Sequence, residues 1–181
     1  GLETGNEQFR YKTLRKSVKN SQMIEVTDRM NRHGLRYSMQ FMLGLPGETK
    51  EGFMKGMKKL LDTKANVRFR VHPTQMLSNT ELDSKTSIEK YGIQYKYRQH
   101  SNFMGYCDGE FICETERVIL ATKDMSLEDV FYCRTNTVLL DALLRRAPLR
   151  ELIDYLNSID ILVSDLARAL TDNISKSPDD V

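Results

Sequence analysis

Apolar residues recur at helical spacing in the first third of the chain and predict a helix over residues 21–33. Met23, Val26 and Met30 fall on one face of this segment, as in an amphipathic helix. A serine stands at its first position as a suitable N-cap, and Gly34 follows where a left-handed residue commonly ends a helix. The pattern therefore predicts one amphipathic helix that ends at Gly34.

The period then changes from helical to alternating, which indicates a strand over residues 35–43. Its apolar side carries Tyr37, Met39, Phe41 and Leu43. Residues 44–47, Gly-Leu-Pro-Gly, form a turn signal that ends this strand.

A second helix and a second strand follow this turn. Thr49 is a good N-cap for the helix. An apolar stripe marks its buried side: Phe53, Met57, Leu60 and Leu61. Residues 67–72 alternate again and Pro73 ends them. The order helix, strand, loop, helix, strand with short connections is typical of the βαβ units of a parallel sheet.

One side of each predicted strand is polar. Ser38 and Gln40 lie on that side of the first strand, and Arg68, Arg70 and His72 on that of the second. Strands that helices cover on both faces are usually apolar throughout, so a polar side favours a barrel or half-barrel with a wet interior. An edge strand that faces solvent is the alternative. In the barrel interpretation Gln40, Arg68 and Arg70 contact a substrate, and a one-residue register error would reverse this assignment.

The second part of the chain is less regular at first and then helical. We expect a short helix over 82–91, a mixed polar and aromatic stretch up to residue 114, and a strand over 116–122. Ser126 and Asp129 form a capping-box variant before a helix, and further helices are expected over 148–156 and 161–170. The tail, residues 175–181, is polar. These patterns divide the chain into residues 1–80, the α/β part, and residues 81–181, a mixed and then helical extension.

The composition is that of an ordinary globular protein of 181 residues, with 40% hydrophobic and 29% charged residues. The net charge of +2 gives no reason to expect nucleic acid or an anionic membrane as a partner. No apolar run reaches the roughly 20 residues of a spanning helix, and the polar N-terminal stretch is unlike a signal peptide. The three cysteines, Cys107, Cys113 and Cys133, fit reduced thiols and a cytoplasmic location.

The segment with the clearest chemical meaning is Phe41–Thr49, a strand end followed by a Gly/Pro turn and a helix start. Ligands of parallel α/β proteins bind at the carboxyl ends of the strands, and Gly44 and Gly47 would let a flat ligand approach the backbone. The segment lacks the Gly-Lys-Ser/Thr of a P-loop. On its own, it is equally compatible with a capped turn.

Together with the opening segment Gly1-Leu-Glu-Thr-Gly5, this pattern resembles the radical S-adenosylmethionine (SAM) superfamily. The opening segment is similar to the end of that family's fourth strand, Gly-x-Glu-Ser-Gly, with Thr4 in place of the commoner serine. Phe41–Thr49 is similar to the fifth-strand motif, which ends Gly-Leu/Phe-Pro-Gly-Glu-Thr. The resemblance implies the closing strands of a partial (β/α)6 TIM-like barrel, followed by a mostly helical C-terminal region. It is specific over residues 1–80 and looser up to about residue 145, a region similar to radical SAM proteins that also carry a cobalamin-binding domain.

The resemblance also implies roles for individual residues. Glu3 would accept hydrogen bonds from the SAM ribose, with Thr4 beside it, and Arg10 would pair with the SAM carboxylate. The adenine and methionine parts of SAM would lie against the end of the first strand: Phe41, Met42, Leu43 and Gly44. The segment after the second strand would complete the adenine pocket: Gln75, Met76 and Leu77. A solvated helix face is the alternative interpretation of the basic segment that contains Arg10, and a nucleic-acid patch is a third.

The implied cofactors are SAM, a four-iron four-sulfur cluster and, in the subfamily named above, cobalamin. The family's Cys-x3-Cys-x2-Cys motif is missing from this chain, and Cys107, Cys113 and Cys133 are spaced differently, so we expect the chain alone to be inactive. We also expect that it begins inside an element of a longer enzyme; a natural N-terminus is the alternative. The implied partners are a small-molecule substrate and an electron donor such as flavodoxin or ferredoxin, with no membrane.

Two other functional classes remain open at this point. A non-catalytic binding or scaffold domain would keep the barrel fold without the cluster. An RNA-modifying radical SAM enzyme would carry an added basic domain, which residues 146–181 do not resemble because their aspartates offset the arginines.

Overall fold

The chain is a mixed α/β protein. Its structure is a computed structural model that describes residues 3–35, 37–61, 68–145 and 149–176. Its helices are α1 (Glu7–Lys12), α2 (Asn20–Arg32), α3 (Lys50–Leu61), α4 (Lys85–Tyr91), α5 (Leu127–Arg145), α6 (Arg150–Ser158) and α7 (Val163–Lys176), with a 3₁₀ turn at Glu81–Asp83. Its strands are β1 (Ser38–Leu43), β2 (Arg68–Pro73), β3 (Gln75–Met76), β4 (Gln94–Cys107) and β5 (Glu110–Ala121).

The first sheet is parallel, as the order of the elements predicts. β1 pairs with β2 in a register that places Gln40 beside Arg70 and Met42 beside His72. On the other side of β1, Glu3 forms a parallel bridge with Phe41. The Glu3 backbone N–H donates to the Gln40 carbonyl at 3.3 Å, and the Met42 N–H donates to the Glu3 carbonyl at 2.7 Å. The start of the chain therefore extends the parallel arrangement by one strand-like segment.

The two faces of this sheet differ as the alternation predicts. Met39, Phe41, Leu43 and Phe69 point into the main hydrophobic core. Helices α3, α5 and α7 supply most of the other members of this core: Phe53, Met57, Leu60, Leu61, Cys133, Leu140, Leu143, Val163 and Ala167. Ser38, Gln40, Arg70 and His72 are exposed on the opposite face. Within the described ranges neither sheet closes into a barrel.

The main core draws on both sides of residue 80. Met39 and Phe69 share it with Leu140 and Ala167. The C-terminal helices therefore cover the sheet that the first 80 residues build.

The boundaries of α2 and α3 follow the predicted signals with one correction. Gly34 adopts a left-handed conformation with φ of 65°, and the Thr49 hydroxyl accepts from the Gly52 N–H at 3.1 Å at the start of α3. The prediction of Ser21 as the N-cap of α2 is wrong. The helix starts one residue earlier, and its cap is Lys19, whose N–H donates to the Gln22 side chain at 2.9 Å.

The second sheet is antiparallel with strand order β3-β5-β4, and β4 of its long hairpin occupies a segment for which no strand was predicted. β5 extends the predicted strand 116–122 backwards to Glu110. Much of the hairpin is exposed, including Tyr106 and Phe111, so no buried side marks it in the sequence. The turn residues Asp108 and Gly109 both have positive φ, and Asp-Gly is a strong hairpin signal. Asp108-Gly109 is therefore the one signal in the sequence that could have predicted this hairpin.

The helical character of the C-terminal region is confirmed in the described residues 127–145 and 149–176. The Ser126 and Asp129 side chains hydrogen-bond at 2.8 Å, and the Asp129 N–H donates to the Ser126 hydroxyl at 3.1 Å, as the capping pattern predicts. α6 and α7 extend further along the chain than predicted, to Ser158 and Lys176. Val67, Pro148 and the last part of the polar tail lie outside the described residues. In the described part of the chain, no helix has the length and apolar character needed to cross a membrane.

Candidate functional site

A cavity of about 310 Å³ opens at the carboxyl end of the parallel strands. Residues from three parts of the fold line it: Glu3, Gln40, Phe41, Met42, His72, Pro73, Gln75, Leu77 and Arg98. Its volume is at the lower end of the range for small-molecule pockets and is large enough for a ligand of nucleoside size. The location agrees with the rule that parallel sheets bind ligands at this edge.

Six residues predicted from the sequence come together in this cavity. Glu3 enters from the start of the chain. Gln40 and Met42 enter from β1, and Phe41 between them borders the cavity while its side chain lies in the main core. Gln75 and Leu77 belong to β3 and the residue that follows it. Parallel pairing explains the convergence, because it places the ends of neighbouring strands at one edge of the sheet.

Glu3 supplies the carboxylate of the pocket. Its Oε1 accepts from the Lys16 ammonium at 2.7 Å, and both side chains are partly exposed. A carboxylate can accept several hydrogen bonds through its two oxygens, so the Lys16 contact leaves acceptor sites for ligand hydroxyls. The Glu3 backbone has φ of 67°, a left-handed conformation that is uncommon for residues other than glycine.

The hairpin of β4 and β5 contributes Arg98 to the lining of the cavity. Glu116 on β5 accepts from the Gln75 side-chain amide and from Arg98 Nε on β4, the latter at 2.6 Å. Gln75 and Arg98 both line the cavity, and Glu116 joins them. Arg98 was missed from the sequence because its position depends on the pairing of β4 with β5. No local motif marks it.

Three predicted cofactor-binding residues lie outside the cavity lining. Leu43 points into the main core, and Met76 belongs to a second core with Ile93 and Ile119. Gly44, with φ of 83°, lies against Ile119 rather than open space. Alternation along the strands accounts for Leu43 and Met76, because neighbours of pocket-facing residues point to the other side.

Thr4 and Arg10 are also placed differently from the prediction. Thr4 is fully buried, and its hydroxyl donates to Glu48 Oε1. Arg10 is 1% exposed, and its guanidinium donates to the Thr4 carbonyl at 2.6 Å, to the Val18 carbonyl and to Asn20 Oδ1 at 2.7 Å. Burial lowers the pKa of Arg10, and attraction to Glu7 opposes this effect. The geometry gives Arg10 a structural role, since its donors are directed at the chain itself.

The predicted substrate residues fall on the polar face of the parallel sheet. Gln40 lines the cavity, and Arg70 lies beside it in the strand register and is exposed. The side chain of Arg68 is outside what the structure describes. His72, which alternates with Arg70 along β2, also lines the cavity.

Glu48, which no prediction assigned a role, is a buried carboxylate behind the pocket. It is 0% exposed, and burial raises its pKa to about 7, although the Thr4 hydrogen bond opposes the shift. Its Oε2 has no hydrogen-bond partner among the residues that the structure describes. In the sequence, Glu48 stands between Gly47 and Thr49, and this position identifies it only as the residue before the N-cap of α3.

The cysteines do not form a metal centre within the described residues. Cys133 is buried in the main core, where burial raises its pKa to about 12, whereas Cys107 is exposed. No group of three His, Cys, Asp or Glu side chains is placed to hold a metal ion in the described parts of the chain. These residues therefore do not fit an iron–sulfur cluster.

No protein-family model and no curated protein matches this chain. A carboxylate and two side-chain amides, next to apolar Met42 and Leu77, suit a ligand that combines hydroxyl groups with a flat heterocycle.

Proposed function

We propose that this chain provides the ribose and adenine pocket for SAM in a radical SAM enzyme. The observation that carries the proposal is the convergence of Glu3, Met42 and Leu77, separated in the sequence, on one cavity at the carboxyl edge of parallel strands. Under this proposal the segment around Glu3, β1 and β2 are the closing strands of a partial barrel.

The residues of the cavity have distinct roles in this proposal. Glu3 accepts hydrogen bonds from the ribose hydroxyls, because a carboxylate is a strong acceptor for a diol. Met42, Pro73 and Leu77 provide apolar surface for the adenine, and Gln75 offers an amide to its polar edge. Bound SAM supplies radical or methyl-transfer chemistry when an iron–sulfur cluster, with or without cobalamin, is present.

The polar face of the parallel sheet holds the substrate under the same proposal. Gln40 and Arg70 stand beside each other there, next to the cavity. A substrate on this face lies close to the bound SAM and contacts both side chains.

The test is a calorimetric titration of the chain with SAM and with adenosine. We expect both to bind, and Glu3→Gln to weaken each by about tenfold or more, since a hydrogen bond to a charged group is worth roughly 1.5–3 kcal/mol. Glu114→Gln, which neutralises an exposed carboxylate on the hairpin, is the matched control and should leave both affinities unchanged. Failure of the wild-type chain to bind either compound would refute the proposal.

A non-catalytic domain that binds a nucleoside is the second candidate. It is favoured by the cavity itself, whose carboxylate, amides and apolar side chains suit a nucleoside without any cluster. The two candidates differ in the chemistry of the native protein that contains this sequence. Iron incorporation with formation of 5′-deoxyadenosine or methyl transfer supports the enzyme, and nucleoside binding without either supports the second candidate.

A further inference from the structure

The segment that carries Glu3 into the pocket is held from several directions. The Thr4 hydroxyl donates to Glu48, and it accepts from the Asn6 N–H at 3.0 Å. The Asn20 side-chain amide donates to the Gly5 carbonyl at 2.8 Å. The Thr4 carbonyl, as described above, accepts from the buried Arg10 guanidinium. Among these hydrogen bonds, the one from the Thr4 hydroxyl links this segment to Glu48, the residue after the Gly/Pro turn that follows β1.

Glu3 needs such support because its backbone conformation is unfavourable. A left-handed φ at a residue other than glycine persists when the surrounding contacts determine it. Such strain concentrates at ligand-binding positions, where it holds a side chain in a required place. Here the strained residue is Glu3, which lines the cavity and supplies its one acidic side chain among the lining residues.

The buried carboxylate of Glu48 is unfavourable for the stability of the fold. A fully buried carboxylate with one oxygen lacking a partner among the described residues lowers stability, and an apolar residue would avoid that penalty. Since the other carboxylate oxygen accepts the Thr4 hydroxyl, the observed geometry links Glu48 to the residue that follows Glu3.

We propose that Glu48 is a positioning residue that acts through Thr4 to hold the Glu3 carboxylate at the ribose site. This inference depends on the proposed function, in which Glu3 accepts from the ribose hydroxyls. Glu48 itself lies behind Thr4 and is absent from the cavity lining. Its effect on binding is therefore confined to the part of the ligand that Glu3 contacts.

The experiment compares two probes that differ only at the ribose: adenosine and 2′,3′-dideoxyadenosine, which lacks both hydroxyls. Wild-type chain should bind adenosine about tenfold or more tightly than the dideoxy compound, the preference expected from Glu3. Thr4→Val keeps the shape of the side chain and removes the hydroxyl, and it should abolish most of this preference. Thr4→Ser keeps the hydroxyl and should restore it.

General damage to the fold would reduce the affinity for both probes and leave their ratio unchanged. Thr27→Val is the matched control, because it removes another buried threonine hydroxyl, one that donates to the Ile24 carbonyl within α2. Glu48→Met breaks the Thr4–Glu48 hydrogen bond from the other side and keeps the Thr4 hydroxyl as acceptor of the Asn6 N–H, so it should reduce the preference even if Thr4→Val does not fold.

The failures of the inference and of the proposed function are distinct. A wild-type chain that binds neither probe, or binds both equally, contradicts the proposed role of Glu3. A wild-type preference that survives in folded Thr4→Val or Glu48→Met overturns the inference about Glu48 and leaves the role of Glu3 intact.

Discussion

Gly5 and Gly56 pack backbone against backbone. A Cβ atom built on Gly5 would lie 2.3 Å from the Gly56 carbonyl carbon, and one built on Gly56 would lie equally close to the carbonyl carbon of Gly5. A change of side-chain rotamer could not relieve either clash, because the opposing atoms belong to the main chain. This contact fixes the distance between α3 and the segment that carries Glu3.

Gly56→Ala should therefore destabilise the protein although alanine is the better helix former. In an exposed helix this change would raise the free energy of unfolding by about 1 kcal/mol. Here we expect a loss of about 2 kcal/mol or more, because the two backbones must separate. Gly105→Ala is the control, as nothing lies within 4 Å of its Cβ position. Urea denaturation measures both, and a stabilised Gly56→Ala protein would contradict the close contact.

Arg10→Lys tests whether Arg10 is structural or binds the SAM carboxylate. Lysine cannot reproduce the guanidinium fork that reaches Thr4, Val18 and Asn20, so the free energy of unfolding should fall by about 3 kcal/mol. Arg15→Lys, on the exposed part of the same segment, should have little effect. A variant of normal stability that loses affinity for SAM and keeps its affinity for adenosine would assign Arg10 to the carboxylate instead.

The raised pKa of Glu48 predicts a specific dependence of stability on pH. The pKa is about 7 in the folded state and 4.5 is its ordinary value, so between these values the folded chain binds a proton that the unfolded chain releases. Proton binding by Glu48 therefore adds to the free energy of unfolding. This stabilisation is fully present below about pH 4.5 and is lost as the pH rises through 7. Its full size is about 3 kcal/mol.

Glu48→Gln removes this titration, so comparison with wild type isolates it. The unfolding free energy of the Glu48→Gln variant minus that of wild type should increase between about pH 5 and about pH 8. Contributions that the two proteins share cancel in the difference. A difference that does not change with pH would show that Glu48 keeps its ordinary pKa.

The cysteines should differ sharply in reactivity. Cys133 is completely buried with a pKa of about 12, and the thiolate is the reactive form, so a thiol reagent should modify it only after unfolding. Cys107 is exposed and should react in the native protein. Counting modified thiols by mass spectrometry before and after denaturation checks this, with Cys107→Ser to identify the fast site. Rapid native modification of Cys133 would contradict its place in the core.

Lys16→Met should tighten adenosine binding modestly. The Lys16 ammonium occupies one Glu3 oxygen that a ribose hydroxyl would share, and partly exposed ion pairs are worth at most about 1 kcal/mol. The expected gain is therefore about two- to fivefold, with little change in stability. Lys12→Met, on an exposed side chain of α1, is the control. Weaker adenosine binding by Lys16→Met would indicate that Lys16 helps to hold Glu3 in place.

Several features were readable from the sequence because their causes are local. Alternation in residues 35–43 identified the buried side of β1, since side chains of a strand point to opposite faces in turn. Thr49 and the Ser126–Asp129 pair marked helix starts, because caps satisfy backbone groups a few residues away. Parallel pairing followed from the order of the elements and brought six predicted residues to one cavity.

The tertiary structure alone decided which polar residues face the cavity and which lie behind it. Arg10 and Thr4 were predicted to contact the ligand, yet contacts with Asn20 and Glu48 turn them inward. Arg98 joins the cavity only because β4 pairs with β5. A local pattern records the periodicity of a segment, whereas these assignments depend on hydrogen-bond partners distant in the chain. The sequence thus determined the strands and the edge at which they end, and long-range packing determined which polar side chains remain available to a ligand.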